Sequence, residues 1–240
     1  MHLRPAEPSD FSATASISVD AFWDDELYAY TNVWREKYPE HLRDHFLRQH
    51  RLRYWSAGYV FHIAVTDEGD VGHFPGQGEK VVGYAIWQRR GTSQTAKRWQ
   101  KQTPWALLEQ TLLEASNYYY DLVRADKSLD YNRLHLFTSE ATQDFDAIPE
   151  MWKLRNLCVD PKFQRRGIGS MMIQWGQEQA QKERCPIGLE SSTMARKTYQ
   201  KNGFRVYGNT YYRDSLSIDV PMFIWEPSGM EGEWGMQGEK

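Results

Sequence analysis

Leu154-Arg155-Asn156-Leu157-Cys158-Val159-Asp160-Pro161-Lys162-Phe163-Gln164-Arg165-Arg166-Gly167-Ile168-Gly169-Ser170 is the stretch that decides how this chain folds. Leu157 to Val159 is a short apolar run with a β-branched residue, the mark of a strand. Asp160-Pro161 stops it, because proline cannot donate a ladder hydrogen bond. Beyond the glycines, Ile168, Met171, Met172 and Trp175 recur at i, i+3, i+4 and i+7, which predicts a helix with one buried face. A basic loop with Gly167 and Gly169 joins the two elements.

That layout suits an anionic phosphate. A helix start carries unpaired N–H groups and a partial positive charge. Glycines let backbone approach a ligand closely, and Arg165 and Arg166 can add charge-assisted hydrogen bonds. Taken alone, the loop fits an ordinary strand–turn–helix corner with solvated arginines equally well. Two other phosphate motifs are excluded: no lysine follows Gly169 as a P-loop requires, and Met172 stands where a dinucleotide fingerprint needs its third glycine.

Gln164-Arg165-Arg166-Gly167-Ile168-Gly169 resembles the Q/R-x-x-G-x-G/A signature of the GNAT superfamily of acetyl-CoA-dependent N-acetyltransferases. Downstream, Ala195, Tyr199, Gly203 and Phe204 match that family's A-x-x-x-Y-x-x-x-G-F pattern. The motif-bearing part runs from about Trp152 to Tyr207; upstream the likeness lies only in the order of elements. The resemblance implies an α/β (α+β) fold: a mixed, mostly antiparallel central sheet flanked by helices, with a helical insertion. It implies acetyl-CoA as the acyl donor, no metal, and a primary amine as acceptor; a small-molecule amine is expected, with a peptide or protein acceptor, or a CoA-binding protein without turnover, as the alternatives.

Composition is compatible with this. The 240 residues are 40% hydrophobic and 25% charged, enough for one large domain with a sizeable core. A net charge of −3 and a pI near 6.2 do not suggest a general nucleic-acid binder. Cys158 and Cys185, the two cysteines, form no Cys-x-x-Cys pair, so neither a zinc nor a redox motif is visible, and a reducing compartment is favoured. The first residues contain no apolar signal region, and no run is long enough to span a bilayer. A soluble, cytoplasmic protein is expected, monomeric or homodimeric, with no membrane partner.

The chain then divides as follows. One domain is expected over residues 1–226, and a disordered Gly- and Glu-rich tail over 227–240. Leu3-Arg4 reads as a strand, Ser9 or Asp10 as the cap of a helix to about Phe22, and Pro39 to about Trp55 as a basic amphipathic helix. Within it, His41, His45 and His50 lack the carboxylate support of a metal site and read as satisfied or exposed. Between these helices, Phe22 to Tyr30 mixes acids with aromatics. It is either a solvated helix end over core rings or the edge of an acceptor pocket for a cationic amine. Tyr59–Val65 and Val81–Gln88 read as antiparallel strands. Residues 91–150 form a long insertion with a helix from Pro104 to about Leu122, expected to cover the acceptor site or else to decorate another surface. Pro186–Glu190 and Met222–Trp225 read as strands, with Ser191 or Ser192 capping the helix that carries Ala195 and Tyr199.

For the chemistry, the resemblance assigns backbone groups of Leu157, Cys158 and Val159 to the pantetheine arm and a backbone N–H there to the oxyanion. It assigns the N–H groups from Arg165 to Ser170 to the pyrophosphate, and Tyr199 to protonation of the departing thiolate; the bland alternative for Tyr199 is a paired core aromatic. Ser192 stands where many relatives have an asparagine that contacts the cofactor, which weakens that one contact. The base is left open among Glu190, His135, Glu140, Asp25 and a water chain. Asn156, near where some relatives carry a carboxylate, cannot serve.

Overall fold

The computed structural model describes residues 1–73, 76, 78–140, 145–210 and 220–234; the side chains of 137–140, 209 and 210 fall outside that description. Seven strands form one sheet: β1 (His2–Pro5), β2 (Tyr59–Val65), β3 (Val81–Arg90), β4 (Met151–Val159), β5 (Ile187–Glu190), β6 (Arg205–Thr210) and β7 (Val220–Trp225). Their order is β1-β2-β3-β4-β5-β7-β6. All neighbours are antiparallel except β4 and β5, which run parallel. Parallel neighbours need a crossover, and α7 (Ile168–Glu183) supplies it.

α7 covers one face. Ile168, Met172, Ile173 and Ala180 pack on Val82, Trp87, Trp152 and Leu154. Gly176 is required there, since a Cβ would enter the Trp87 indole. The other face is covered by α1 (Phe11–Phe22) and α3 (Pro39–Trp55), with the short α2 (Glu26–Thr31) between them. Phe11, Ile17, Phe61, Ile63, Tyr84 and Ile86 fill that layer. His50 is buried in it and joined to Thr14 Oγ1 at 3.1 Å and to the Tyr84 hydroxyl at 3.2 Å, which fulfils the expectation of a satisfied histidine.

Two irregularities shape the centre of the sheet. The β3–β4 register steps between Ile86 and Trp87, which face Asn156 and Leu154, so Arg155 has no partner on β3. Such a bulge bends the strand and re-aims its side chains. The β4–β5 pairing covers only Trp152, Lys153 and Leu154. Past Leu154 the two parallel strands part, and β4 runs on to Val159 with one edge unpaired.

The insertion holds more helix than expected. Besides α5 (Pro104–Leu122), it contains α4 (Gln94–Trp99) and α6 (Tyr131–Glu140). Ser93 caps α4 by accepting from the Ala96 N–H at 3.1 Å, a signal available in the sequence. α5 lies along α3, and α6 lies on α2. The linker between α5 and α6 is pinned to the body: Asn32 Nδ2 donates to Ser128 Oγ at 2.9 Å, and the buried Asp126 accepts from Ser128 N and Oγ at 3.0 and 2.6 Å.

Residues 227–234 of the tail are among those described. They form turns against Glu226, whose carboxylate accepts from the N–H groups of Gly232 and Trp234 at 3.1 Å, and Trp234 packs beside Ile224 and Tyr207. Residues 235–240 lie outside the described ones. Both cysteines are free and buried. Among the described residues, no helix is long and apolar enough to cross a membrane.

Candidate active site

The open edge of β4 forms one wall of a cavity of about 670 Å³. Leu157, Cys158 and Val159 supply that wall, and Arg165, Gly167, Ile168, Gly169 and Ser170 supply the next. The opposite side comes from Ser192, Ala195 and Tyr199, and the mouth from Asp24, Asp25 and Glu26. The stretch singled out in the sequence and the downstream tyrosine therefore meet around one space.

Local conformation explains the loop. Asp160 Oδ1 accepts from Lys162 N at 2.9 Å and starts a 3-10 turn, Pro161–Phe163. Arg165 and Gly167 then take left-handed backbone, φ +63° and +84°, which turns the chain into α7 with Gly167 as N-cap. Only glycine adopts that conformation freely. No side chain caps α7, so its first N–H groups face the cavity unpaired. A Cβ at Gly167 would meet nothing within 4 Å, and one at Gly169 only Leu157 at 4.0 Å. The space over this helix start is open to a ligand, and the ligand it suits is an anion.

Tyr199 sits on α8 (Arg196–Lys201), 6% exposed, with Phe204 and Phe223 at 5.7 and 6.2 Å between ring centroids. Burial pushes its hydroxyl pKa upward, so it holds its proton. The same cause raises the Cys158 thiol. Neither Ser191 nor Ser192 caps α8; Ala195 occupies the N-cap and its N–H reaches the Ser192 carbonyl at 3.2 Å. Serine side chains there are left for other contacts, and Ser192 lines the cavity.

Other candidates are placed elsewhere. Arg166 is not among the lining residues: its guanidinium reaches back to the Lys162 carbonyl at 3.4 Å and lies over the Phe163 ring. Glu190, at the end of β5, is also off the cavity wall and pairs with the buried Lys153 at 3.1 Å. His135 is an exposed residue on α6, and the Glu140 side chain lies outside the described residues. Asp25 is the carboxylate among these that lines the cavity. Its Oδ1 caps α2, accepting from Leu27 and Tyr28 N–H at 3.0 and 3.4 Å, and burial raises its pKa. The run from Phe22 to Tyr30 thus does both things read from it: Phe22 and Tyr28 pack in the core, while Asp24, Asp25 and Glu26 border the cavity.

Sequence reasoning missed the basic rim, Lys197 and Lys201. Their i, i+4 spacing on α8 puts them on one helix face and was the available signal. No described residue of 91–150 lines the cavity. Among the described residues no cluster of metal-ligating side chains is present.

A sequence model of the acetyltransferase (GNAT) domain matches residues 122–206, which hold the whole cradle from β4 through α7 to Tyr199. That segment is similar to the GNAT acetyltransferase domain. A protein of Stachybotrys chartarum called "Acetyltransferase" is 25% identical over 223 residues, 88% of this chain and 84% of its own. The fold is also that of solved structures. A Corynebacterium glutamicum protein described as "histone acetyltransferase HPA2 and related acetyltransferase" superposes with a TM-score of 0.58 at 18% identity, over 94% of this chain and 96% of its own. A second, described as an acetyltransferase, gives 0.51 at 15% identity, over 94% of this chain and 99% of its own. The likeness is to acyltransferases, and members of the GNAT family take acetyl-CoA as donor. The open β4 edge, the uncapped start of α7 and the bare Cβ positions of Gly167 and Gly169 fit that donor.

Proposed function

We propose that this chain is a GNAT acetyltransferase that moves an acetyl group from acetyl-CoA to the primary amine of a small molecule, by direct transfer without an acetyl-enzyme intermediate. The observation that carries this reading is the convergence of four features on one cavity: an unpaired strand edge, an anion-binding helix start, a protonated tyrosine and a desolvated carboxylate.

Acetyl-CoA supplies an activated acyl group as a thioester. The chain's own residues do the rest. The α7 N–H groups and Arg165 bind the pyrophosphate. The free edge of β4 at Leu157 to Val159 aligns the pantetheine arm as an added strand, and one of its N–H groups faces the carbonyl oxygen as charge grows there. The acceptor enters past Asp25. An alkyl ammonium has a pKa near 10.4 and is unreactive until it loses a proton. The free Oδ2 of Asp25, in a carboxylate that burial makes more basic, is placed to take that proton directly or through water. Glu190 is the alternative base, acting from its pair with Lys153. A C–N bond forms, the C–S bond breaks, Tyr199 donates its proton to the thiolate, and the extra proton shed by the acylated nitrogen returns to Tyr199, so that the one proton released overall is the one taken from the ammonium.

The test is release of CoA thiol from acetyl-CoA, measured with small primary amines and with tetrapeptide amides bearing a free N-terminus. Faster turnover of the small amines supports the reading. Faster turnover of the peptides would replace it with peptide N-acetylation.

A further inference from the structure

Two guanidinium groups, Arg53 and Arg155, lie beside the cavity wall, and among the described residues neither pairs with an acid. Arg53, near the end of α3, is half-buried, and its Nη1 donates to Asn156 Oδ1. Among the described residues that is its one hydrogen bond, although it carries five donors. The groups acting on it most strongly are Arg155 and the tyrosines 28, 59 and 84, and burial together with Arg155 lowers its pKa. Arg155 is the exposed bulge residue of β4 and makes no hydrogen bond or ion pair with the described residues. Lys153, the next cation along β4, is engaged by Glu190.

Their position is informative. Arg155 and Asn156 immediately precede Leu157, where the cavity wall begins. Tyr28 links the two ends: its N–H donates to Asp25 Oδ1 at 3.4 Å, and its ring packs at 4.9 Å on Phe46 of α3, the helix that carries Arg53. One end of this face is therefore acidic and the other cationic. From Asn156 to Cys158 is two strand residues, roughly 7 Å, the scale of a short amino acid. Desolvating a guanidinium beside a second one is costly unless an anion joins them. Carboxylate is the group whose two oxygens match the guanidinium fork.

We propose that the acceptor amine also carries a carboxylate, held between Arg53 and Arg155, so that its amine is presented toward Asp25 and the backbone of Cys158 and Val159. This deepens the acetyltransferase reading and rests on it. The bulge at Arg155 then has a role, since it turns that side chain out of the ladder toward the substrate.

The test measures kcat and KM for thiol release on amine pairs that differ by one carboxylate: β-alanine and ethylamine, phenylalanine and phenylethylamine, lysine and cadaverine. The expected result is a kcat/KM at least about tenfold higher for the acid of a turned-over pair. Arg155→Ala, at an exposed position that folding tolerates, raises KM for the acid at least tenfold, leaves kcat within about twofold and leaves the plain amine unaffected; Arg155→Lys recovers part of the loss. Equal turnover of acid and plain amine, or an unchanged KM in Arg155→Ala, overturns the carboxylate site while leaving acetyl transfer intact. Binding of acetyl-CoA without thiol release for any member overturns the acetyl-transfer reading, and this inference with it.

Discussion

Tyr199 carries the chemistry at the scale of a single residue. Burial holds its phenol protonated across the physiological range, which suits a group that must give up a proton only when a thiolate appears. Tyr199→Phe removes one hydroxyl and keeps the ring between Phe204 and Phe223. The expected outcome is a fall in kcat of roughly a hundredfold or more with the dissociation constant for acetyl-CoA within about twofold, read by thiol release and by calorimetry. An unchanged kcat would return Tyr199 to the status of a core aromatic. This residue was legible because it sits inside a ten-residue pattern. The base was not, because proton acceptance needs only a carboxylate within reach, and reach is a property of the fold. Asp25 and Glu190 look alike in sequence; one lies on the cavity and the other on Lys153.

At the scale of elements, the start of α7 was readable from its glycines and arginines, and its buried face from the 3.6-residue period. The full length of β4 was not. Met151 to Arg155 alternates poorly because the strand is central and bulged, so both of its faces meet protein or ligand. The bulge and the parting of β4 from β5 depend on partners far away in sequence, and they create the site. Two substitutions on α7 separate its two jobs. Gly169→Leu places a side chain in the open space over the helix start and should weaken acetyl-CoA binding at least tenfold, with thermal stability nearly unchanged. Gly176→Ala drives a methyl into Trp87 and should destabilise the protein by about 1–3 kcal/mol in urea unfolding, while the folded fraction still binds acetyl-CoA.

For the whole molecule, alternation and turns located the strands at 59–65 and 81–88 as an antiparallel pair, while the order of the whole sheet comes from the structure, and the insertion was harder to place. α5 has no buried residue, and Trp105, Leu107, Leu108 and Leu112 are all exposed on it. An apolar period predicts a helix but does not say whether anything covers its face. The insertion holds the body through Asp126, Ser128 and Asn32 and by the Arg48 guanidinium over the Tyr120 ring at 3.7 Å, contacts between residues with no pattern in common. His50, which is buried, and His62, which is half-buried, give the fold a pH dependence. Burial lowers His50 to about 3 and His62 to about 4. The unfolded chain protonates each near pH 6.5 and the native one does not, so the unfolded state binds more protons between those values. Stability is therefore full above about pH 6.5 and falls as pH drops, by up to about 1.4 kcal/mol per unit for each histidine. The urea midpoint should decline steadily from pH 7.5 to 5.5; a flat midpoint would mean that the two rings are not buried neutral.

The central claim is that the free edge of β4 and the uncapped start of α7 form one cradle for acetyl-CoA. Titration calorimetry of the wild type and of Gly169→Leu with acetyl-CoA tests it most directly. The account predicts one site per chain, with affinity reduced at least tenfold in a variant that melts like the wild type. Absence of binding to the wild type, or equal binding by both, would contradict it.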